Sequence, residues 1–197
     1  MASSMMNDLT NIPFPKALAK ITGETEQMRF SMASEPKTGM LLRTLAATKR
    51  AGTFLELGTG TGLATAWILD GMDQDSTLTS IDNDERCITV ARENLGNDVR
   101  LKLICADCET RIPDLPAASF DFIFADAWPG KYRLLEETLE LLKPGGVYII
   151  DDMLPQPNWP EGHEKHVVQL ISELERREDF HFVRLSWASG IIVATKR

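Results

Sequence analysis

The sequence predicts an α/β fold: a doubly wound, seven-stranded, mostly parallel sheet that ends in an antiparallel C-terminal hairpin strand. Three observations carry this prediction. Apolar runs of strand length alternate with amphipathic segments of helix length, the pattern of parallel strands joined by crossover helices. The first strand runs directly into Gly58-Thr-Gly60-Thr-Gly62 and a helix follows at once; glycines there permit a tight turn and close backbone approach. The last two strands are separated only by Trp187-Ala-Ser189, too short for a crossover helix, so they pair antiparallel.

In chain order, Pro13 and Pro15 fence off an N-terminal helical extension (1–31) predicted to hold one helix at 15–28. A helix follows at 38–49, with Met40, Leu41, Thr44 and Leu45 on one face. The apolar run Phe54-Leu55-Glu56-Leu57 gives the first strand, 53–57, and the glycine turn launches a helix at 63–72. Strand 77–82 ends in Ile81-Asp82, and Asp84 is a candidate N-cap for the helix at 85–95. Strands at 99–105 and 120–125 follow, then a helix at 132–142. Lys143-Pro-Gly-Gly146 stops that helix, through proline and a glycine that accepts positive φ. Strand 147–151, a helix at 162–178 and the hairpin strands 181–186 and 190–195 complete the chain.

The 197 residues suit one domain able to bury its own core without disulfides. Hydrophobic content of 43% and charged content of 25% are those of an ordinary globular protein. Met1 to Asp8 show no basic segment followed by an apolar run, and no stretch is long enough to span a bilayer. A cytoplasmic protein without a membrane partner is therefore expected. The formal net charge of −8 argues against nucleic acid and for a small neutral or cationic partner. Cys87, Cys105 and Cys108 read as reduced thiols. The Cys105-x-x-Cys108 pair has no second ligand pair to make a zinc site and no helix N-terminus directly after it to make a redox motif. A homodimer is an allowed assembly.

In doubly wound sheets ligands bind beyond the carboxyl ends of the strands, and the polar features of this sequence fall there. A dinucleotide fingerprint needs G-x-G-x-x-G, but Leu63 stands where the last glycine belongs and Gly62 comes one residue early. Glu56, at the strand end, would repel a pyrophosphate. An acid beside Gly58, Gly60 and Gly62 suits a ligand with positive charge and no phosphates, and S-adenosylmethionine is such a ligand. The other reading is a tight turn with no ligand. Asp82 is placed to accept both ribose hydroxyls, or to serve as a helix cap. At the end of strand three, Asp107 and Cys108 are further candidate cofactor contacts, with Asp107 placed for an adenine amino group or as a plain turn residue.

Strand four empties into Asp126-Ala-Trp-Pro129-Gly-Lys131-Tyr132, and strand five into Asp151-Asp152. Carboxylates gathered at neighbouring strand ends repel one another unless a cation sits among them, and all-oxygen ligands suit Mg²⁺, Ca²⁺ or Mn²⁺. Asp126, Asp151 and Asp152 are thus candidate metal ligands. In the alternative, Asp151 and Asp152 cap the loop and Asp126 holds the methionine ammonium.

Several motifs together resemble the class I methyltransferases. They are Leu55-Glu-Leu-Gly-Thr-Gly-Thr-Gly62, Ser80-Ile-Asp82, Asp121-Phe-Ile-Phe-Ala-Asp126, Leu142-Lys-Pro-Gly-Gly146 and Ile149-Ile-Asp-Asp152. Within that class the resemblance is to the cation-dependent O-methyltransferases (catechol and caffeoyl-CoA O-methyltransferases), from about Met32 to the C-terminus. It implies one Rossmann-like methyltransferase domain over 1–197, with backbone at Met32 and Ala33 lining the cofactor. It also implies metal ligands at Asp126, Asp151 and Asp152, and catalytic roles for Asp126 and a lysine. Two departures matter. The third ligand is usually asparagine, and the general-base lysine should stand at Pro129. Lys131, in the same loop, is the nearest substitute, but three carboxylates around a lysine disfavour its neutral form, which points to an orienting cation rather than a base.

Three functional readings are open at this stage: a divalent-cation-assisted O-methyltransferase of a small, catechol-like acceptor; a metal-free small-molecule O- or N-methyltransferase; and a protein that binds S-adenosylmethionine without turning it over. Trp128, Trp159 and Met153 are candidate walls for a flat acceptor. Tyr132, His163 and His166 are weaker base candidates. The loop at 155–162 is a candidate lid that would bring Glu161 and Glu164 to the acceptor.

Overall fold

The computed structural model describes residues 12–197. Residues 1–11, with the Met1 to Asp8 stretch and the start of the N-terminal extension, lie outside the described residues. The order of elements is α1 (Leu18–Gln27), α2 (Pro36–Ala46), β1 (Thr53–Leu57), α3 (Leu63–Gly71), β2 (Thr77–Asp82), α4 (Glu85–Leu95), β3 (Leu101–Cys105), α5 (Cys108–Arg111), β4 (Phe120–Ala125), α6 (Leu135–Glu140), β5 (Leu142–Ile150), α7 (His163–Glu175), β6 (Phe180–Leu185) and β7 (Ile191–Lys196). The seven strands form one sheet in the order β3-β2-β1-β4-β5-β7-β6. Every pairing is parallel except β5 with β7 and β7 with β6, so β7 alone runs against the rest.

Strand order reverses between β1 and β4, and that is where the glycine turn and Asp126 meet. The two-residue period of the strands sorts the core into two layers. Leu55, Leu57, Ile123, Ala125, Tyr148 and Ile150 pack against α6 and α7 through Leu139, Val167, Leu170 and Leu174. The intervening Phe54, Phe122, Phe124, Val147 and Ile149 pack on the other face against α2 and α3 through Leu42, Ala46, Trp67 and Ile68. β1 and β4, buried on both faces, are largely apolar, interrupted inside by Glu56 and Asp121. No described helix is long and apolar enough to cross a membrane.

Four elements depart from expectation. Where a turn was read after β3, a short helix α5 opens at Cys108 with Asp107 as its N-cap. Val99 is 96% exposed in a turn closed by the Leu101 amide on the Asp98 carbonyl (3.0 Å), so β3 starts at Leu101. The helix expected at 132–142 shrinks to α6, because the Tyr132 and Arg133 amides both turn back to the Trp128 carbonyl (2.9 and 3.2 Å) and Leu134 takes a left-handed φ of 56°. The Lys143-Pro-Gly-Gly146 stop lies inside β5 as an irregularity, with Phe120 facing Leu142 and Phe122 facing Val147.

Candidate active site

Two adjoining cavities open at the carboxyl edge of the sheet. The larger, about 420 Å³, lies beyond β1, β2 and β4, within the size range of small-molecule sites. Gly58 makes it: its φ is +97°, and a Cβ there would stand 2.8 Å from the Asp126 carbonyl oxygen. Asp82 lines the cavity and also shapes it. One carboxylate oxygen accepts from the Gly60 amide at 2.8 Å, the other from the Asp84 amide at 2.9 Å. Asp107 lines it while capping α5 through the Glu109 amide (2.8 Å). Met32, Ala33, Gly60 and Asp126 are on its wall as well.

Three of the expected cofactor contacts lie elsewhere. Glu56 is fully buried on the α3 face of β1, where one carboxylate oxygen accepts from Thr65 (2.6 Å) and Ser80. It ties β1, β2 and α3 together and does not reach the cavity. Burial lifts its carboxyl from 4.5 to about 7, against the pull of those two hydroxyls. Gly62 turns away too: a Cβ would meet Ala91 Cβ and Leu95 Cδ1, each at 3.1 Å, so this glycine serves the packing of the loop on α4. Cys108 is buried behind β2, its thiol directed at the Ile81 carbonyl (3.6 Å) and pushed up to about 12 by burial. Strand and helix periodicity decide which way each residue points, and all three point inward.

The smaller cavity, about 150 Å³, is lined by Glu35, Asp126, Asp151, Asp152, Gln156 and Ser189 among others. Met32, Ala33, Ser34 and Asp126 border both cavities. Asp126 accepts from the Ser34 hydroxyl at 3.2 Å. Burial, and then the negative charge of Asp151, raise its carboxyl well above the ordinary value, with the Lys131 ammonium pulling the other way. Asp151 is buried too; one carboxylate oxygen accepts from the Ser189 hydroxyl and from the Asp152 amide (2.8 Å). Burial raises it, while Ser189, the Asp152 amide and Lys131 lower it. Asp152 has a left-handed φ of 69°.

The fold thus gathers the three acidic residues, but among the described residues no group of three or more His, Cys, Asp or Glu side chains is arranged to hold a metal ion. One oxygen of Asp126 already accepts from Ser34, and one of Asp151 from Ser189 and the Asp152 amide. Lys131 is 3% exposed, lines neither cavity, and donates to the Asp151 carbonyl at 2.9 Å. The expectation of an orienting cation at the acceptor is corrected in place: the ammonium is inside the protein, behind the carboxylates.

Of the expected walls, Trp128 lines the larger cavity, whereas Trp159 and Met153 belong to the core packing on the α7 side of the sheet. Tyr132 bonds His163 Nε2 at 3.0 Å, and Trp128 stacks edge-on to Tyr132, His163 and His166 at 5.0–5.5 Å. These rings line neither cavity except through Trp128. Burial, then the Lys131 charge, lower the His163 imidazole. The loop before α7 contributes Gln156 and Asn158 to the smaller cavity, not Glu161 or Glu164, and Asn158 ties it to the Ser31 carbonyl at 3.1 Å. Sequence reasoning missed Phe30, Ser34, Asn83 and Arg133, all on the larger cavity. Asn83 and Ser34 were signalled by adjacency to Asp82 and Ala33. Phe30, whose ring edge lies 3.3 Å from a Cβ built on Gly60, and Arg133 left no local mark.

Residues 54–146 match the model of a methyltransferase domain. A putative O-methyltransferase of Mycolicibacterium vanbaalenii is 32% identical over 123 residues, 60% of this chain and 54% of that protein. The chain spans about half the length of the curated relatives it matches. Among solved structures, an O-methyltransferase from Bacillus cereus in complex with SAH superposes with a TM-score of 0.80 at 20% identity, covering 95% of this chain and 94% of that one. A putative caffeoyl-CoA O-methyltransferase from Staphylococcus aureus gives 0.77 at 19%, covering 91% and 92%. At such identities the likeness is one of fold.

Proposed function

We infer that this chain, which carries a class I methyltransferase domain, is an S-adenosylmethionine-dependent O-methyltransferase acting on a small hydroxylated acceptor. One observation carries the reading: two cavities of unequal size meet at a shared wall of Met32, Ala33, Ser34 and Asp126. A group donor in the larger and an acceptor in the smaller would face each other across Asp126.

The larger cavity fits the cofactor by its donor set. Asp82 and Asp107 line the cavity for ribose hydroxyls and an adenine amino group, and a side chain at Gly58 would push against the Asp126 backbone on its wall. Bound there, S-adenosylmethionine supplies an electrophilic methyl group. The chain's contribution is alignment: an acceptor oxygen held at near-attack distance gains most of its acceleration from lost freedom already spent on binding. Asp126 stands on the common wall, its carboxyl raised well above the ordinary value by burial and then by Asp151. It is the group we assign to take the acceptor hydroxyl proton. The polar lining and volume of the smaller cavity suit one ring or a short chain bearing more than one hydroxyl, a catechol among them.

The divalent-cation version of this reading does not fit the residues present. A hard cation needs several free oxygens converging on one point. Here one oxygen of Asp126 and one of Asp151 are engaged by hydroxyls and an amide, a lysine ammonium sits against the Asp151 carbonyl, and among the described residues no three acidic side chains converge on one point. No step is therefore assigned to a metal.

The test is an acceptor screen with labelled cofactor, run in Mg²⁺ and in chelator, beside calorimetry with S-adenosylhomocysteine. Methyl transfer to small hydroxylated compounds at equal rates in both buffers is expected. Absence of cofactor binding by the intact protein would sink the reading.

A further inference from the structure

We propose that the Lys131 ammonium is the resident cation of this site, fixed behind Asp126 and Asp151, and that it fills the electrostatic role a divalent metal would otherwise take. Its consequence for catalysis rests on the methyltransferase reading; the placement of charge does not.

An ammonium 3% exposed is tolerated in a protein interior only when paired and hydrogen-bonded. Lys131 has one such bond, to the Asp151 carbonyl at 2.9 Å, and the Tyr132 ring lies 5.3 Å from its nitrogen. It forms no ion pair with a described carboxylate, so the bond to the Asp151 carbonyl fixes it beside the acidic cluster and the rest of its charge faces that cluster at longer range. Lys131 draws down both Asp126 and Asp151, opposing the burial that pushes them up, and Asp152 adds its field to the same group. Glu35 lines the same cavity as the three carboxylates. Tyr132 and His163 feel the cluster as well: burial, then Asp152 and Asp126, raise the phenol, and burial, then the ammonium, lower the imidazole.

The loop sequence explains the placement. Pro129 borders the larger cavity and bridges to Arg133, so the side chain at 129 faces the ligand side. Two residues on, past Gly130 with its φ of +89°, the chain has turned and Lys131 points into the protein, bordering neither cavity. It is therefore a positioning residue, acting through the carboxylates, and it cannot itself take a proton from the acceptor. Asp152 sharpens the requirement for such a cation, since it adds a third negative charge.

The experiment titrates Mn²⁺ into the cofactor-free protein and follows free Mn²⁺ by electron paramagnetic resonance. The full chain should show no saturable binding up to about 1 mM, the weak end for carboxylate sites. Lys131→Met, which leaves the carboxylates uncompensated, should gain a site at least about tenfold tighter, with its lowered melting temperature restored by Mn²⁺. Lys131→Arg keeps the charge and should remain blind to Mn²⁺. If Lys131→Met does not fold alone, the double variant with Asp126→Asn, one negative charge lighter, should fold. Saturable Mn²⁺ binding by the unaltered chain, lost in Asp126→Asn, would overturn the proposal; so would a Lys131→Met protein with unchanged melting temperature and no Mn²⁺ affinity. S-adenosylhomocysteine calorimetry on the same samples separates the two readings. Loss of cofactor binding would fault the assigned function and leave the metal result standing.

Discussion

Replacing Glu56 by glutamine isolates a fully buried carboxyl on the α3 face of β1. The wild-type carboxyl is 0% exposed, accepts from Thr65 and Ser80 on one oxygen, and leaves its other oxygen without a hydrogen-bond partner. Its rise from 4.5 to about 7, at about 1.36 kcal/mol per unit, corresponds to roughly 3 kcal/mol between the two protonation states. The folded protein holds the proton more tightly than the unfolded chain. This group's stabilising contribution is therefore complete below pH 4.5 and is lost as pH rises through about 7. Between pH 5 and 8 about 2–3 kcal/mol should disappear from the wild type and not from Glu56→Gln. Urea unfolding at four pH values across that interval, without cofactor, measures the difference between the two proteins. Parallel stability curves would refute the reasoning, because they would mean that Glu56 ionises as freely in the fold as in the unfolded chain.

Other outcomes follow from the site. Asp82→Ala should weaken S-adenosylhomocysteine binding by about 1–3 kcal/mol, since hydroxyls and the Gly60 amide lose a charged acceptor; calorimetry reads it, and unchanged affinity would remove Asp82 from the site. Gly62→Ala strains a φ of +95° and presses on Ala91 and Leu95, so thermal unfolding should show a loss of about 1 kcal/mol or more with the affinity of the surviving fold little changed. Alkylation followed by mass spectrometry should label exposed Cys105 ahead of Cys108 and Cys87, whose thiols burial pushes up to about 12 and about 11. Equal labelling in native protein would contradict that burial.

Where the sequence was read correctly, local chemistry and tertiary structure agree. The strands at 53–57, 77–82 and 120–125 and the helix at 85–95 appear with the expected bounds, because their apolar period matches the faces they bury. That Asp82, Asp107 and Asp126 line one cavity was legible because a strand end in a parallel sheet has one destination. Glu56 and Gly62 were misassigned because their motif says what is conformationally allowed, not which face a side chain meets; α3 and α4 decide that. Lys131 was harder still. Its direction depends on how the 126–134 loop turns, through Gly130 and Leu134 at positive φ, and only one of those is a glycine that advertises the turn. Phe30 reaches the cavity from a segment whose position is set by the Thr25–Thr61 hydroxyl bond (2.7 Å) between α1 and the glycine loop.

The wall of Met32, Ala33 and Ser34 borders two cavities at once, and it hangs between α1 and α2 with Met32 67% exposed. A ligand that draws this strap toward one cavity alters the boundary of the other, so the two occupancies share an interaction free energy. That quantity is the same whichever ligand arrives first. If the product cofactor tightens the methylated acceptor tenfold, the acceptor must tighten the product cofactor tenfold.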